Sequence, residues 1–394
     1  MCGIIVSIVF NGQRRTTVDH EEFIPWIATR GPDSLKTHTV QFSTPDTQNT
    51  LTLTFTSSVL HLRGKEVTVQ PLISSAGDIL CWNGEIWKGL EIKDDENDGA
   101  KLLEALSSTN KVWEVMERIE GPWAMVYYSA RDGKVYYGRD CLGRRSLLRG
   151  QTEDGSVCLL SSIAVGSYSW GDDKVDGLWC IDLNEWIQEG QQVSAVSVIS
   201  NNDQCPAKLY PWVSESSEAN DAEGYLLRPY PSMNRELPTG DVEDPDLPRE
   251  FLQVLTDALS IRTRTIPETH IHRHHAQGED IPRIAVLFSG GLDCSVLAWI
   301  IHTLLSSSES IDLINVAFEN PRTIALQKIH PKEVYAVCPD RITGRAGWEE
   351  LWRLSHDTSR KWRFVEVQRI HTYLRVRLIL RTRRHSVEEM RSCN

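Results

Sequence analysis

The sequence predicts two domains of different fold class: an α+β layered sandwich, followed by a partial α/β domain with a parallel sheet. The chain has 394 residues, a length at which two separate hydrophobic cores are expected. Up to about residue 199 it is rich in alternating, aromatic and β-branched segments. From Ile284 the pattern becomes strand, helix, strand, helix, strand, which is typical of parallel strands joined by crossover helices.

The first domain, predicted over residues 2–195, contains strands and a few helices. Turn pairs such as Asp-Gly and Gly-Asp separate several of the strands. Helical periodicity is expected in 20–30, 98–109 and 111–119. The strand segments are 3–10, 51–64, 78–87, 121–130, 134–140 and 156–162.

The rest of the chain divides by composition. Residues 196–248 mix acidic residues with Pro, Ser and Gly, which indicates a linker or a long surface insertion. The α/β domain is predicted over 249–368; it includes a polar insertion with four histidines at 270–275, for which a solvated loop is favoured over a metal site. The arginine-dense tail, 369–394, is either a basic amphipathic helix or an out-of-frame or truncated end.

The tail's helical alternative depends on spacing, because Ile370, Leu374 and Leu378 recur at intervals of four residues.

The composition of the whole chain limits the classes of function that are expected. The net charge of −12 argues against a general nucleic-acid binder. The 9 cysteines are scattered, odd in number and without a C-x-x-C pair, which favours reduced thiols in a cytoplasmic protein. No apolar run is long enough to span a bilayer, so no membrane partner is expected. The oligomeric state stays open.

A cysteine directly follows the initiator methionine in the opening MCGI. If Met1 is removed, Cys2 carries both a thiol and a free α-amine. The pKa of such an amine is about 7.7–8.0, so it could accept the thiol proton near neutral pH. A cysteine at this place is usually incidental, and other motifs are needed to support a catalytic role.

Five further motifs supply that support. RGPD, HLRG, WNGEI, DENDG and YGRDCLGRRSL occur in this order downstream of MCGI. Together they resemble the class II glutamine amidotransferase domain, which has an N-terminal-nucleophile fold, over roughly residues 2–195. The resemblance implies that the substrate is glutamine and that Cys2 attacks its side-chain amide to form a γ-glutamyl thioester.

By the same resemblance, Asn83 through its side chain and Gly84 through its backbone N–H form the oxyanion hole, which stabilises developing negative charge. Taken alone, the Asn-Gly pair would instead be read as a tight hairpin turn.

The resemblance also assigns residues to the two charged groups of glutamine. Arg63 pairs with the α-carboxylate, for which its planar fork is suited. Glu85 and Asp98 hold the α-ammonium. Taken alone, Arg63 would be read as one partner of a surface ion pair.

A second motif, AVLFSGGLDCS, runs from a strand through a glycine turn into a helix, an arrangement that cradles anions. Its S-G-G-x-D-x-S pattern resembles the pyrophosphate loop of the ATP pyrophosphatase superfamily. Cys294 stands where this family usually has serine, and a thiol is the weaker donor. The resemblance implies that Asp293 holds Mg²⁺ and that Val316 lies beside adenine. The residues that it assigns to ATP are Ser289, Gly290, Gly291, Asp293, Ser295 and Val316.

The two halves together resemble glutamine-hydrolysing asparagine synthetases, and PDRITGRAG followed by WRFVEV indicates a paralogous branch. The family passes ammonia to ATP-activated aspartate, with ATP and Mg²⁺ as cofactors, in asparagine biosynthesis. The family's second phosphate and metal loop and its aspartate-binding half are not found here, so the synthetase half is expected to be incomplete. Two alternatives remain: a glutaminase-only or pseudoenzyme protein that acts through interactions, and a nucleotide-binding module.

Overall fold

The structure is a computed structural model, and it divides into two compact units, Met1–Leu237 and Pro238–Asn394. Each unit is considered by itself. The residues that it describes are 2–11, 18, 20–45, 49–93, 95–152, 156–166, 168–193, 207–212, 246–264, 266, 282–318, 334–369 and 382–385.

Two six-stranded antiparallel sheets form the first unit. The strands of the first sheet, in spatial order, are β10 (Ser169–Gly171), β8 (Leu148–Gln151), β9 (Val157–Ser161), β1 (Gly3–Asn11), β3 (Thr50–Val59) and β2 (Ser34–Ser43). Those of the second sheet are β12 (Ala207–Pro211), β11 (Gly177–Asp182), β7 (Lys134–Arg139), β6 (Trp123–Ser129), β5 (Ile79–Gly84) and β4 (Leu72–Ile73).

The two sheets share one core, and helices cover the outside of the second sheet. Inward residues of β1 such as Val6 pack in one cluster with Cys81 of β5. The helix α2 (Asp98–Ser107) and the short α3 (Val112–Met116) pack on the other face of β5, where Trp82 lies. This layered arrangement confirms the predicted sandwich. The unit also contains α1 (Ile24–Ala28), which follows a 3₁₀ turn at His20–Glu22, and α4 (Leu183–Val193).

The sequence prediction did not include the strands β4, β8, β10 and β11 or the helix α4. It differs from the structure at two further places in this unit. It overlooked β2, an edge strand whose polar, half-exposed side chains give no buried face. It also assigned residues 207–211 to the 196–248 linker, whereas they form β12 and pair with β11 in the second sheet. This strand is short and lies between polar segments, so nothing local distinguished it from a linker.

The second unit has the parallel sheet that the sequence predicts for a partial α/β domain. The strands β13 (Ile284–Leu287), β14 (Ser310–Phe318) and β15 (Lys361–Arg369) are parallel and adjacent in that order. A fourth strand, β16 (Thr382–His385), pairs antiparallel with β15, so at these four residues the tail is a strand rather than a helix. The helices are α5 (Leu247–Arg264), α6 (Leu292–Leu304) and α7 (Pro339–Leu354).

Helix α7 begins six residues before its predicted start at Arg345, because Pro339 occupies the first helical turn. Its Arg341 is fully buried and donates from Nη2 to the carbonyl oxygen of Val367 at 3.0 Å. Arg341 and Arg345 both pair with the buried Glu366 of β15, at 3.1 and 2.7 Å. The motifs PDRITGRAG and WRFVEV are therefore two halves of one buried contact.

Some expectations concern residues outside the described ranges. These are the four histidines at 270–275 and the apolar tail positions Ile370, Leu374 and Leu378. Among the described residues, no cluster of three or more His, Cys, Asp or Glu side chains has the spacing of a metal site. In the same part of the chain, no helix combines the length and the hydropathy that crossing a membrane requires.

Arg360 supports the C-terminal end of α6, and its removal should destabilise the second unit. Its buried guanidinium donates to the carbonyl oxygens of Ser306 and Glu309 at 2.6 Å, of Leu305 at 2.8 Å and of His302 at 2.9 Å. The substitution removes four charge-assisted hydrogen bonds to the end of the helix, so Arg360→Ala should lower the free energy of unfolding by about 3 kcal/mol. Hydrogen exchange of the α6 amides measures this loss for the second unit alone.

The matched control is Arg353→Ala, which removes an exposed guanidinium from α7 and should change stability by less than about 0.5 kcal/mol. Equal hydrogen-exchange protection of α6 in the two variants would show that Arg360 does not support the helix.

Candidate active site

Cys2 lies immediately before β1 and beside the end of β3. Its Sγ accepts the N–H of Leu60 at 3.4 Å. Gly3, the next residue, donates its N–H to Ser58 Oγ, which in turn donates to the carbonyl oxygen of Ile27 at 2.6 Å. A Cβ at position 3 would lie 2.7 Å from Ser58 Oγ and 2.9 Å from Ile27 Cγ2, so only glycine allows this approach. The glycine after Cys2 thereby fixes where the thiol lies.

One cavity of about 50 Å³ adjoins Cys2. It brings together residues that are far apart in the sequence and that five separate motifs contribute. All six residues predicted for the glutamine site line it: Cys2, Arg63, Asn83, Gly84, Glu85 and Asp98.

Asn83 lies on β5, opposite Ala124 of β6, and not in a hairpin turn. It continues the inward alternation of Ile79 and Cys81, so its side chain is directed into the sandwich. The side chain is 2% exposed, and among the residues that the structure describes its Nδ2 has no hydrogen-bond partner. A buried donor without a partner costs about 1–3 kcal/mol, and such groups are found where a ligand completes the site.

The backbone N–H of Gly84 is a second available donor. Glu85 N–H donates to Pro122 O at 3.0 Å, which places Gly84 and Trp123 in a non-hydrogen-bonded pair of the antiparallel ladder. The Gly84 N–H therefore points away from β6. On that side Trp82 N–H donates to the cavity residue Gln70 at 2.7 Å. The Asn83 and Gly84 donors thus lie at one end of one strand.

Arg63 is buried, at 9% exposure, and is not part of a surface ion pair. Its Nη1 donates to the carbonyl oxygen of Ile86 at 2.6 Å, which fixes the guanidinium in the cavity wall. Its Nε is buried without a partner. The guanidinium therefore keeps hydrogen-bonding capacity for an anionic group in the cavity.

Asp98 begins α2 and supplies the opposite charge. Its carboxylate accepts the N–H groups of Ile86 at 3.1 Å and Gly99 at 2.9 Å. Burial raises the pKa of this carboxyl, while the charge of Arg63 acts in the opposite direction. Glu85 adds a second carboxylate, 3.9 Å from Arg145 Nη2. Two arginines, Arg63 and Arg145, and two carboxylates line this small cavity, so it offers both signs of charge to the two charged groups of a free α-amino acid.

Sequence reasoning did not single out five other residues near Cys2. Arg30 Nε donates to the carbonyl oxygen of Cys2 at 3.3 Å, and its Nη2 donates to Ser146 Oγ at 3.2 Å. Arg30 and Arg145 lie in motifs that carried the resemblance, but a motif does not say which members face the nucleophile. The other three are cavity residues: Gln70, Trp82 and Asn97.

The thiol of Cys2 is not activated by its surroundings alone. Burial raises its pKa above the ordinary value, and this effect outweighs the hydrogen bond from Leu60. At neutral pH the group is therefore mostly the thiol and not the nucleophilic thiolate. Attack on a substrate needs a base that removes this proton.

The glycine loop of the second unit joins β13 to α6, with Gly290 at φ +82°. A side chain there would collide with the backbone of Thr343 on α7. Thr343 also donates from Oγ1 to the carbonyl oxygen of Ser289 at 2.6 Å, so α7 holds the loop in place. Gly291 is the N-cap of α6, and a Cβ there would contact only Ser289 Oγ at 3.6 Å. The space at the helix N-terminus is therefore open.

The remaining predicted residues surround this loop. Asp293 is exposed in the first turn of α6, and Ser295 N–H donates to Gly291 O. Val316 lies near the end of β14, two residues beyond Ile314, the partner of Leu287. Ligands of α/β sheets bind at this edge, outside the carboxyl ends of the strands.

The loop fits a phosphate group better than it fits a metal ion. The open N-terminus of α6 suits an anion. Cys294 Sγ, however, donates to Gly291 O at 3.2 Å, so the thiol is bonded within the loop. Asp293 is one carboxylate, and the described residues contain no group of three metal ligands. Mg²⁺ here would take most of its ligands from phosphate oxygens and water.

Residues 1–167, within the first unit, match the family described as "Glutamine amidotransferase domain". Over most of its length the chain is also similar to asparagine synthetase domain-containing protein 1. It is 29% identical to the human protein of that name over 441 residues, which cover 93% of this chain and 67% of that protein.

Two further proteins are similar to parts of this chain. The asparagine synthetase domain-containing protein YML096W of Saccharomyces cerevisiae is 29% identical over 311 residues, 77% of this chain and 49% of that one. A solved glutamine phosphoribosylpyrophosphate amidotransferase of B. subtilis superposes with a TM-score of 0.33 and 14% identity over 46% of this chain and 47% of that one. The resemblance seen in the sequence motifs is confirmed by the matches to the family and to its relatives.

Alkylation tests the state of the Cys2 thiol. Because burial raises its pKa, its reaction with iodoacetamide should accelerate about tenfold per pH unit from pH 7 and keep rising beyond pH 9. Peptide mass spectrometry follows each cysteine separately. Cys81, which is fully buried with a pKa of about 12, is an internal control that should stay unmodified. A Cys2 rate that levels off below pH 8 would contradict the raised pKa.

Proposed function

We propose that the first unit hydrolyses glutamine to glutamate and ammonia with Cys2 as the nucleophile. The observation that carries this proposal is the unpartnered Asn83 Nδ2, buried in the cavity that Cys2 also lines. An unsatisfied buried donor is destabilising, and this one would be satisfied by an oxyanion formed beside Cys2. The matches to glutamine amidotransferase domains support the same reaction.

In the proposed mechanism, Met1 is removed and the α-amine of Cys2 takes the proton from its own thiol. The sulfur attacks the γ-carboxamide carbon, and the carbonyl electrons move onto oxygen. Asn83 Nδ2 and Gly84 N–H stabilise this oxyanion as it forms. The carbon–nitrogen bond then breaks, the nitrogen takes the proton and leaves as ammonia, and a γ-glutamyl thioester remains. Attack by water on the thioester releases glutamate and restores the thiol.

The remaining cavity residues select the substrate. Arg63, held at Ile86 O, presents its guanidinium to the α-carboxylate of glutamine. Asp98 is held by two backbone N–H groups and, with Glu85, receives the α-ammonium. The cost of burying Asp98 as an anion is offset when the substrate brings a positive charge. A peptide-bound glutamine lacks both charges and should be a poor substrate.

For the second unit we propose that the loop at 289–295 binds the phosphates of ATP with Mg²⁺ held by Asp293. In the full reaction that we propose, the ammonia released from glutamine reacts with ATP-activated aspartate. The names of the relatives support this reaction. One observation favours the alternative of a glutaminase without synthesis: the thiol of Cys294 is bonded within the loop and not available to a phosphate.

Two substitutions should separate binding from chemistry. Arg63 contacts the α-carboxylate equally in ground and transition states, so Arg63→Ala should raise the glutamine KM about ten- to a hundredfold with a smaller effect on kcat. Asn83 acts on the oxyanion, so Asn83→Ala should lower kcat about a hundred- to a thousandfold with a smaller effect on KM. Ammonia release from glutamine measures both constants.

The matched control is Asn11→Ala, an asparagine at the far end of β1 from Cys2, which donates from Nδ2 to Thr52 Oγ1 at 2.6 Å. It should cost stability of about 1 kcal/mol and leave kcat within a few-fold. If the Arg63 and Asn83 variants changed the same constant, the division of roles between them would be wrong.

The second unit is tested through Cys294. Cys294→Ser replaces a weak donor by a hydroxyl and should strengthen binding of Mg-ATP several-fold in calorimetry. Cys338→Ser is the control, because its thiol lies at the start of α7, outside the loop, and donates to Phe318 O. No detectable ATP binding by the parent and both variants would contradict the phosphate-loop proposal.

A further inference from the structure

The first unit contains a second cavity, which the glutaminase proposal does not use. It measures about 230 Å³, larger than the cavity at Cys2, and the two cavities have no lining residue in common. Three tryptophans, Trp87, Trp123 and Trp212, line it together with the buried Met116 and Ile119. A cavity with this much aromatic surface is suited to a small ligand.

The aromatic wall is preformed. The rings of Trp123 and Trp212 are nearly perpendicular, at 89°, with centroids 6.0 Å apart. Trp123 also stacks on Trp82 at 6.2 Å, and Trp212 donates from Nε1 to the carbonyl oxygen of Val175 at 2.8 Å. These contacts fix both rings, so a ligand would not have to order them.

The charges around the cavity favour a cation. Arg144 is already satisfied: its Nε pairs with Asp140 at 2.9 Å and its Nη2 donates to Gly121 O at 2.7 Å. Its guanidinium lies 5.4 Å from the centre of the Trp87 ring, so a ring face of this cavity already receives a positive charge. Glu120, another carboxylate of the cavity lining, already pairs with Lys88 at 3.5 Å.

Glu117, at the C-terminal end of α3, is the remaining carboxylate of the lining. Among the described residues no side chain forms an ion pair with it within 4.0 Å. Burial, reinforced by the charge of Glu114, raises its pKa. A cationic ligand would relieve both effects by placing a positive charge beside a partly desolvated carboxylate.

We propose that this cavity binds a small organic cation of the alkylated ammonium class, with its apolar body against Trp87, Trp123 and Trp212 and its charge beside Glu117. Tryptophan faces are the strongest cation-binding rings among side chains, and a neighbouring carboxylate adds the charge complement. The cavity is next to the segment that carries Gly84. Trp87 and Glu120 line the cavity, and Trp87 N–H donates to Glu120 O at 2.8 Å. Glu85, the residue after Gly84, donates its N–H to Pro122 O at 3.0 Å in the same pair of segments.

Calorimetry with choline as the probe tests this directly on the full chain. Its neutral isostere, 3,3-dimethylbutan-1-ol, has the same shape without the charge. We expect saturable binding of choline, about tenfold tighter than binding of the alcohol. Glu117→Gln should weaken choline binding about tenfold and leave binding of the alcohol unchanged. Glu104→Gln, on α2, lies outside the cavity lining and removes a carboxylate that pairs with Lys101 at 3.2 Å; it is the matched control and should bind choline like the parent.

Equal affinity for choline and the alcohol would show that the cavity is apolar and not a cation site, and this comparison needs no variant. No saturable choline binding at millimolar concentration, or full choline affinity in a folded Glu117→Gln protein, would also overturn the proposal. Because binding is measured without glutamine, these results are independent of whether Cys2 is a nucleophile.

Discussion

The pairing of β1 with β3 is the constraint on which the proposed glutamine site depends. Its register runs without a break from Gly3, opposite Ser58, to Asn11, opposite Thr50. At its first residue the chain passes so close to Ser58 and Ile27 that a Cβ would not fit. The thiol of Cys2 is therefore placed by the sheet, beside the N–H of Leu60, at the end of the sandwich where β5 presents Asn83. A shift of this register would move the nucleophile away from its donors.

The rest of the site departs from what stability alone favours. Asn83 Nδ2 and Arg63 Nε are buried without partners, and Asp98 is a buried carboxyl with a raised pKa. Each is destabilising in the empty protein, and each would be satisfied by one group of glutamine: the oxyanion, the α-carboxylate and the α-ammonium. Local conflicts of this kind with folding are expected at functional sites. The second unit also buries two arginines, and there both Arg341 and Arg360 donate to backbone carbonyl oxygens.

Much of this could be predicted from sequence because the signals were local or came from motifs. The buried strands and the glycine loop follow from apolar runs and turn residues. The motif resemblance assigned six residues that are distant in the sequence to one site, and all six line one cavity. Other features had no local signal. The strand β12 lies among polar residues, and β2 is a half-exposed edge. PDRITG contains Pro339 and Gly344, which disfavour helix; glycine is needed at 344 because a Cβ there would collide with Asn315 Nδ2. The three-tryptophan cavity arises from residues 87, 123 and 212, which only the fold brings together.

The most direct test of the central claim is to treat the full chain with an electrophilic glutamine analogue, such as a diazoketone, and to map the adduct by mass. The account predicts one adduct, on a peptide that begins at Cys2 without Met1, and protection by free glutamine. An adduct on another cysteine, such as the half-exposed Cys141, or labelling of active protein that retains Met1, would contradict it.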